Sequence, residues 1–203
     1  MEGDLQSHRD GCASCDIHAP SQPPEYPFQS TVVDMLQLEG HMYMAYADRL
    51  TGWLEVAHFP HGAMSSRIIS VLRRTSQELI STDGGTNLIS EETMSFSRKW
   101  GVIVRLSSAH YPQSNGRAEA AVKTAKRIIR SNIGKGGSLD CNKASLAILQ
   151  YLNTPPKGFD KSPAQLAIGR QLRDGVPTPR QHYKVERHWD EIIQKRELQM
   201  AES

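Results

Sequence analysis

The chain has 203 residues, 38% hydrophobic and 23% charged, with a formal net charge of +2 and three cysteines. That length supports one well-buried domain with flanks, and the composition is that of an ordinary globular protein. A mean hydropathy of −0.51, no apolar run of bilayer length and a polar start, MEGDLQSHRDG, without an apolar signal core argue against a membrane or secreted protein. Three unevenly placed cysteines argue against a disulfide framework, and a reduced intracellular setting is expected.

Residues 1 to about 27 read as poorly structured, because Pro20, Pro23, Pro24 and Pro27 break both helix and central strand. Ser30–Leu38, STVVDMLQL, is β-branched and apolar around Asp34 and reads as a first strand. Gly40 and His41 mark a turn. His41–Asp48 and Trp53–Phe59 read as two further strands, joined by a hairpin turn over Arg49–Gly52. Met64–Arg74 carries Ile68, Ile69, Val71 and Leu72 at helical spacing.

Glu78–Thr82 reads as a short strand ending at Asp83. Ser90 then caps a helix to about Lys99, with Glu91 and Glu92 in its first turn. Gly101 ends that helix, and Val102–Leu106 reads as a buried strand. Ser107–Ser114 is loop. A long helix runs from about Asn115 to about Ile133, stopped by Gly134, Gly136 and Gly137. Lys143–Leu152 is a further helix, closed before Pro155 and Pro156. Ser162–Pro163–Ala164 opens a short one with Pro at its first position, and the tail from Val185 is charged and partly helical. Three strands, helix, strand, helix, strand and then helices is an α/β pattern.

Three acids have alternative readings when each stands alone. Asp34 lies in an apolar strand, where an unpaired carboxylate is costly; it either lies on a solvent face or points into a site holding a cation. Asp83 precedes Gly84 and Gly85, which suits a plain turn or the close approach of a ligand. Glu119 opens the long helix and either pairs with Lys123 four residues on or turns inward. Together, carboxylates on separate elements are the hard oxygen donors that divalent cations require. Between Ser97 and Lys135 stand nine basic residues, among them Arg117, Lys123, Lys126 and Arg127, and the single acid Glu119. Such a cluster is either a solvated helix face or a surface for a phosphate backbone.

Thirty-five residues separate Asp83 from Glu119. This Asp, Asp, then Glu order resembles the acidic pattern of retroviral-type integrases. VVDMLQLEGHMYMAYADRLTGWLEV, STDGGTNLISEE, RKWGVIVRLSSAHYPQSNGRAEAAVKTAKRII and LQYLNTPPKGFDKSPAQLAIGRQL resemble, in this order, the integrase catalytic core of gypsy-type LTR retrotransposons. The likeness runs from about Phe28 to about Leu172. It implies a ribonuclease H-like α/β fold, a five-stranded mixed sheet flanked by helices. It further implies that Asp34, Asp83 and Glu119 are catalytic residues and ligands of two Mg2+ (or Mn2+) ions. The implied reaction is DNA strand transfer, with no covalent protein–DNA intermediate. Gln113, Asn115, Arg117, Lys123 and Lys126 are the implied contacts to DNA, the element ends and target being the partners. The resemblance also implies a homodimer through the core and a nuclear location.

The expected organisation is a remnant of a zinc-binding region and linker over 1–27, the catalytic core over 28–172, and a charged tail over 173–203. Cys12 and Cys15 are half of a zinc site. His8 and His18 are available as further ligands, but their spacing is not the family's, so reduced thiols rather than Zn2+ are expected. The stretch from Leu72 to Glu78 is shorter than the family's and must still return the chain to a parallel strand. Two functions follow: an integrase-type strand transferase, or a decayed or domesticated core that binds DNA or its own copies without completing the reaction.

Overall fold

The computed structural model describes residues 24–75, 78–106, 116–134, 139–186, 188, 191–192 and 195, with backbone only at 116–118. The strands are β1 (Ser30–Leu38), β2 (His41–Asp48), β3 (Leu54–Phe59), β4 (Leu79–Thr82) and β5 (Ile103–Leu106). The helices are α1 (Ser65–Leu72), α2 (Glu91–Trp100), α3 (Gly116–Ser131), α4 (Cys141–Asn153) and α5 (Pro163–Ile168). A 3-10 turn follows at Arg180–Tyr183. One five-stranded sheet runs in the order β3-β2-β1-β4-β5. β1 pairs antiparallel with β2 and parallel with β4, and β5 pairs parallel with β4. The mixed five-stranded sheet expected from the sequence is therefore the one observed.

β1 and β2 meet through two residues, Glu39 at φ 49° and Gly40 at φ 80°. Two left-handed residues in a two-residue loop give the twist that matches paired strands. The β2–β3 connection is built differently. Asp48 Oδ2 accepts from Thr51 N at 2.8 Å and Thr51 Oγ1 at 2.6 Å, while Oδ1 accepts from Phe28 N at 2.9 Å. The Tyr151 hydroxyl donates to Gly52 O at 3.0 Å and pins α4 to this turn.

Alternation along β1 and β2 sorts their side chains onto two faces. Val33, Met44 and Tyr46 join Ile80 and Phe59 under Ile68, Ile69 and Leu72 of α1 and Phe96 of α2. On the other face Ala45, Ala47 and Leu54 meet Ala121, Val122, Ala125 and Ile128 of α3 and Leu152 of α4. Alanines on both sides of that contact let α3 sit close to the sheet, so its first turns are carried directly over β1 and β2.

The short approach to β4 closes without loss of pairing. Ser30↔Leu79 through Val33↔Thr82 are in parallel register. β5 differs from the buried strand read from its composition: Ile103 is 49% and Leu106 39% exposed. It is an edge strand with a single neighbour, and an edge leaves side chains uncovered however apolar they are. α2 has the expected cap, with Ser90 accepting from Thr93 N at 3.3 Å, and ends at Gly101. α4 starts two residues earlier than its periodicity suggested, because Asp140 caps it by accepting from Lys143 N at 3.0 Å. Ser162 and Gln165 form a reciprocal capping box on α5. Asn153 bonds both the carbonyl and the amide of Leu172 at 2.8 Å, which fixes the chain after α5 against α4. Among the described residues no helix is long and apolar enough to cross a membrane.

Candidate active site

Asp34 sits at the middle of β1, opposite Ala45 of β2. It alternates with Val32 and Leu36, which pack on the α3 side, so its carboxylate belongs to that face. Asp83 is the residue after β4. The last paired residues are Val33 and Thr82, and Asp34 and Asp83 are the next residue along each chain. Adjacent strands lie about 4.8 Å apart. The crossover that looked tight in sequence therefore still lets β4 pair with β1 up to the residue before Asp83.

Asp83 itself is exposed, and its Oδ1 accepts from Gly85 N at 3.3 Å. Gly84 has φ 88°, and a Cβ there would stand 3.2 Å from Leu106 Cδ2. Both the backbone conformation and the close approach of β5 call for glycine. The Asp–Gly–Gly sequence is thus a turn, and it leaves the Asp83 carboxylate exposed.

Glu119 lies in the first turn of α3 and is half-buried. Lys126 is seven residues on, on the same helix face and about 10.5 Å along the axis. Helical side chains lean toward the N-terminus, so a long lysine stem covers part of that distance. Lys126 Nζ stands 2.6 Å from Asp34 Oδ2, with side-chain exposures of 35% and 18% respectively. Lys123, three residues earlier, is exposed. Among the described residues no three His, Cys, Asp or Glu side chains gather closely enough to hold a metal ion. The arrangement has two neighbouring carboxylate positions, a third acid on the overlying helix, and an ammonium already on the first. Gln113 and Asn115 lie outside the described residues, as do Cys12 and Cys15, and of Arg117 only the backbone is described.

Sequence reasoning did not foresee the Asp34–Lys126 pair. Its signal was the interval between Glu119 and Lys126, which places both on one face, but a partner on another strand has no local signature. It also passed over Asp48, fully buried. Burial pushes the Asp48 carboxyl above its ordinary value, and the bonds from Thr51 and Phe28 only partly offset that. Asp48 is consumed by the turn, whereas Asp34 lies on the α3 side of the central strand β1 and Asp83 is exposed after β4.

No protein-family model matches the chain. It is 27% identical over 189 residues to the uncharacterized protein K02A2.6 of Caenorhabditis elegans, covering 85% of this chain and 15% of that protein. It is 26% identical over 141 residues to the Gag-Pol polyprotein of baboon endogenous virus (strain M7), covering 64% of this chain and 8% of that protein. The chain thus spans a small part of the length of the curated relatives it matches. In fold it is similar to the simian T-cell lymphotropic virus intasome solved in complex with PP2A regulatory subunit B56 gamma. That match has TM-score 0.59 and 18% identity, covering 88% of this chain and 70% of that one. The catalytic core domain of BIV integrase matches with TM-score 0.56 and 16% identity, covering 69% of this chain and 93% of that one.

Proposed function

We propose that this chain, a retroviral-type integrase core of ribonuclease H-like fold, is a DNA strand transferase using Asp34, Asp83 and Glu119. The observation that supports the reading is the parallel β1–β4 register, whose last pair, Val33↔Thr82, immediately precedes Asp34 and Asp83, with Glu119 in the first turn of α3, the helix packed on the Asp34 face of the sheet. Two aspartates and a glutamate are the hard oxygen donors that Mg2+ or Mn2+ requires. In chemistry the donor set suits such ions; in arrangement Asp34 is paired with Lys126 Nζ, and the three carboxylates are not gathered around one point among the described residues. When bound, two divalent ions supply Lewis acidity to the attacking and leaving oxygens of a phosphodiester.

The chain's own residues then have distinct tasks. Asp34 and Asp83 hold charge at fixed positions on the sheet, and Glu119 brings a third carboxylate from the helix. Lys123 and Lys126, with Arg117, Gln113 and Asn115 before them, meet the DNA backbone. Neutralising phosphates makes that binding salt-dependent. The functional unit is the core over 28–172, acting on DNA in the nucleus as a homodimer. Residues 173–203 are then a charged tail.

The Asp34–Lys126 pair also favours a second reading, a decayed or domesticated core that binds DNA or its own copies with Asp34 permanently neutralised. One experiment separates the two. Purified chain is incubated with oligonucleotides carrying a preformed strand-transfer junction in Mn2+. Junction resolution that falls at least about a hundred-fold in Asp83→Asn supports the transferase, since a group acting on the transition state commonly contributes that much. Product formation unchanged by Asp83→Asn sinks the site assignment. Duplex binding without any product supports the second reading.

A further inference from the structure

β3 is an edge of the sheet, hydrogen-bonded among the described residues to β2 alone. Asp48 N donates to Trp53 O at 2.9 Å, and from that point bonded and non-bonded pairs alternate along an antiparallel ladder. Tyr46↔Glu55 and Met44↔Ala57 therefore exchange bonds, and Val56 and His58 aim their N–H and C=O groups away from β2. Such a row is a template for one more strand. Beside it lies a groove of about 460 Å3 between β3 and α1. Val56 and His58 border the groove, yet Val56 packs in the cluster under α3 and His58 stacks on Tyr43. Their main chain therefore forms that bank. The opposite bank is basic: Ser65 to Thr75 contains Arg67, Arg73 and Arg74 and no acid. Arg73 turns to the rings of Phe96 and Trp100, 5.7 Å from each centroid, whereas Arg67 and Arg74 line the groove. Seven positions apart, they stand about 10.5 Å from one another along the helix. Glu55, the acid on the strand side, accepts from Trp53 Nε1 at 3.2 Å.

We infer that the β3–α1 groove receives an extended acidic peptide of a partner protein, added to the sheet as a strand beside β3. Main-chain bonds to Val56 and His58 give affinity, and alternate side chains give specificity. In a strand every second side chain faces α1. Acids four positions apart on that face are about 13 Å from each other, within reach of Arg67 and Arg74 through their long side chains. The residue midway between them lies over the apolar floor of Met44, Phe59 and Val71. The recognised pattern is acid–x–apolar–x–acid. Met44 and Phe59 belong to the α1 side of the sheet, opposite Asp34, so peptide binding and strand transfer are separable.

The test uses the full chain and a fluorescein-labelled peptide, GTETVTETG, followed by fluorescence anisotropy at low salt. Replacing both peptide glutamates by glutamine is expected to weaken binding at least about five-fold, through loss of two ion pairs. Arg67→Gln combined with Arg74→Gln in the protein is expected to do the same, and to bind the glutamine peptide no worse than the unaltered chain does. N-methylation of the peptide amides is expected to act by parity. Methyl groups on one alternate set abolish binding, and on the other leave it nearly unchanged, because one set alone faces β3. Absence of binding by the folded chain, equal losses from the two methylated sets, or affinity indifferent to the glutamates would overturn the assignment. Self-association of the chain that the arginine variant abolishes would give the groove to a second copy. Displacement of the peptide by a short duplex that the arginine variant no longer binds would give it to nucleic acid. Either result overturns the peptide as occupant.

Discussion

Asp48→Ala is the substitution whose cost follows most directly from the structure. The carboxylate is fully buried and accepts from Phe28 N at 2.9 Å, Thr51 N at 2.8 Å and Thr51 Oγ1 at 2.6 Å. Alanine leaves these donors, and the Leu50 backbone N–H that also bonds the carboxylate, without their acceptor. A stranded buried donor costs about 1–3 kcal/mol, and water entering the opened turn recovers part of it. A net loss of about 3–5 kcal/mol follows, a large share of a total stability of about 5–15 kcal/mol. The loss is not uniform in pH. The Asp48 carboxyl is raised above its ordinary 3.8 by burial, so the folded chain holds this proton more tightly than the unfolded one. The stability it contributes is fully present below pH 3.8 and declines as pH rises through the folded value. The cost of Asp48→Ala is therefore largest in acid and settles to a lower constant value toward neutrality. Urea unfolding at a series of pH values measures it. A loss below about 1 kcal/mol would show that these bonds together contribute no more than a single ordinary one. A cost that rises with pH would refute the assigned direction.

Three further outcomes are expected. Gly84→Ala combines a left-handed φ of 88° with a Cβ 3.2 Å from Leu106 Cδ2. It is expected to lower stability by about 1–2 kcal/mol and to weaken Mn2+ binding by shifting Asp83, both measurable on one preparation. Ile129→Ala removes a fully buried side chain of α3 and is expected to cost about 2–5 kcal/mol in denaturant unfolding; a smaller loss would mean that its surroundings collapse onto the cavity. Lys123→Gln is expected to lower the slope of log binding constant against log salt by about one, weakening all duplexes alike. An unchanged slope would remove Lys123 from the phosphate surface.

Most elements were legible because their signals are local. The bounds of β1 and β2 match the reading of STVVDMLQL and HMYMAYAD, and Ser90 and Ser162 cap the helices they precede. β5 was misread as buried because VIVRL is apolar, and composition cannot say which strand ends a sheet. Asp140 was missed because its cap precedes the first residue of the apolar pattern, and Arg180–Tyr183 because a single 3-10 turn has no periodicity. The candidate site divides the same way: Asp34, Asp83 and Glu119 stood out through spacing and the words around them, whereas Asp48, an equally conspicuous acid beside a turn, proved structural only through its burial and its bonds.

The amino-acid sequence by itself determined the order of strands and helices, their caps and the 35-residue interval between Asp83 and Glu119. These depend on residues within a few positions of one another. Only the tertiary structure decided that Asp34 and Asp83 both follow the last pair of the β1–β4 register, because a parallel pair is formed across a crossover whose length does not fix its register. It alone decided that Lys126 rests on Asp34, because alanine-on-alanine packing between α3 and β2 brings the helix close enough for a lysine stem to reach the strand beneath it.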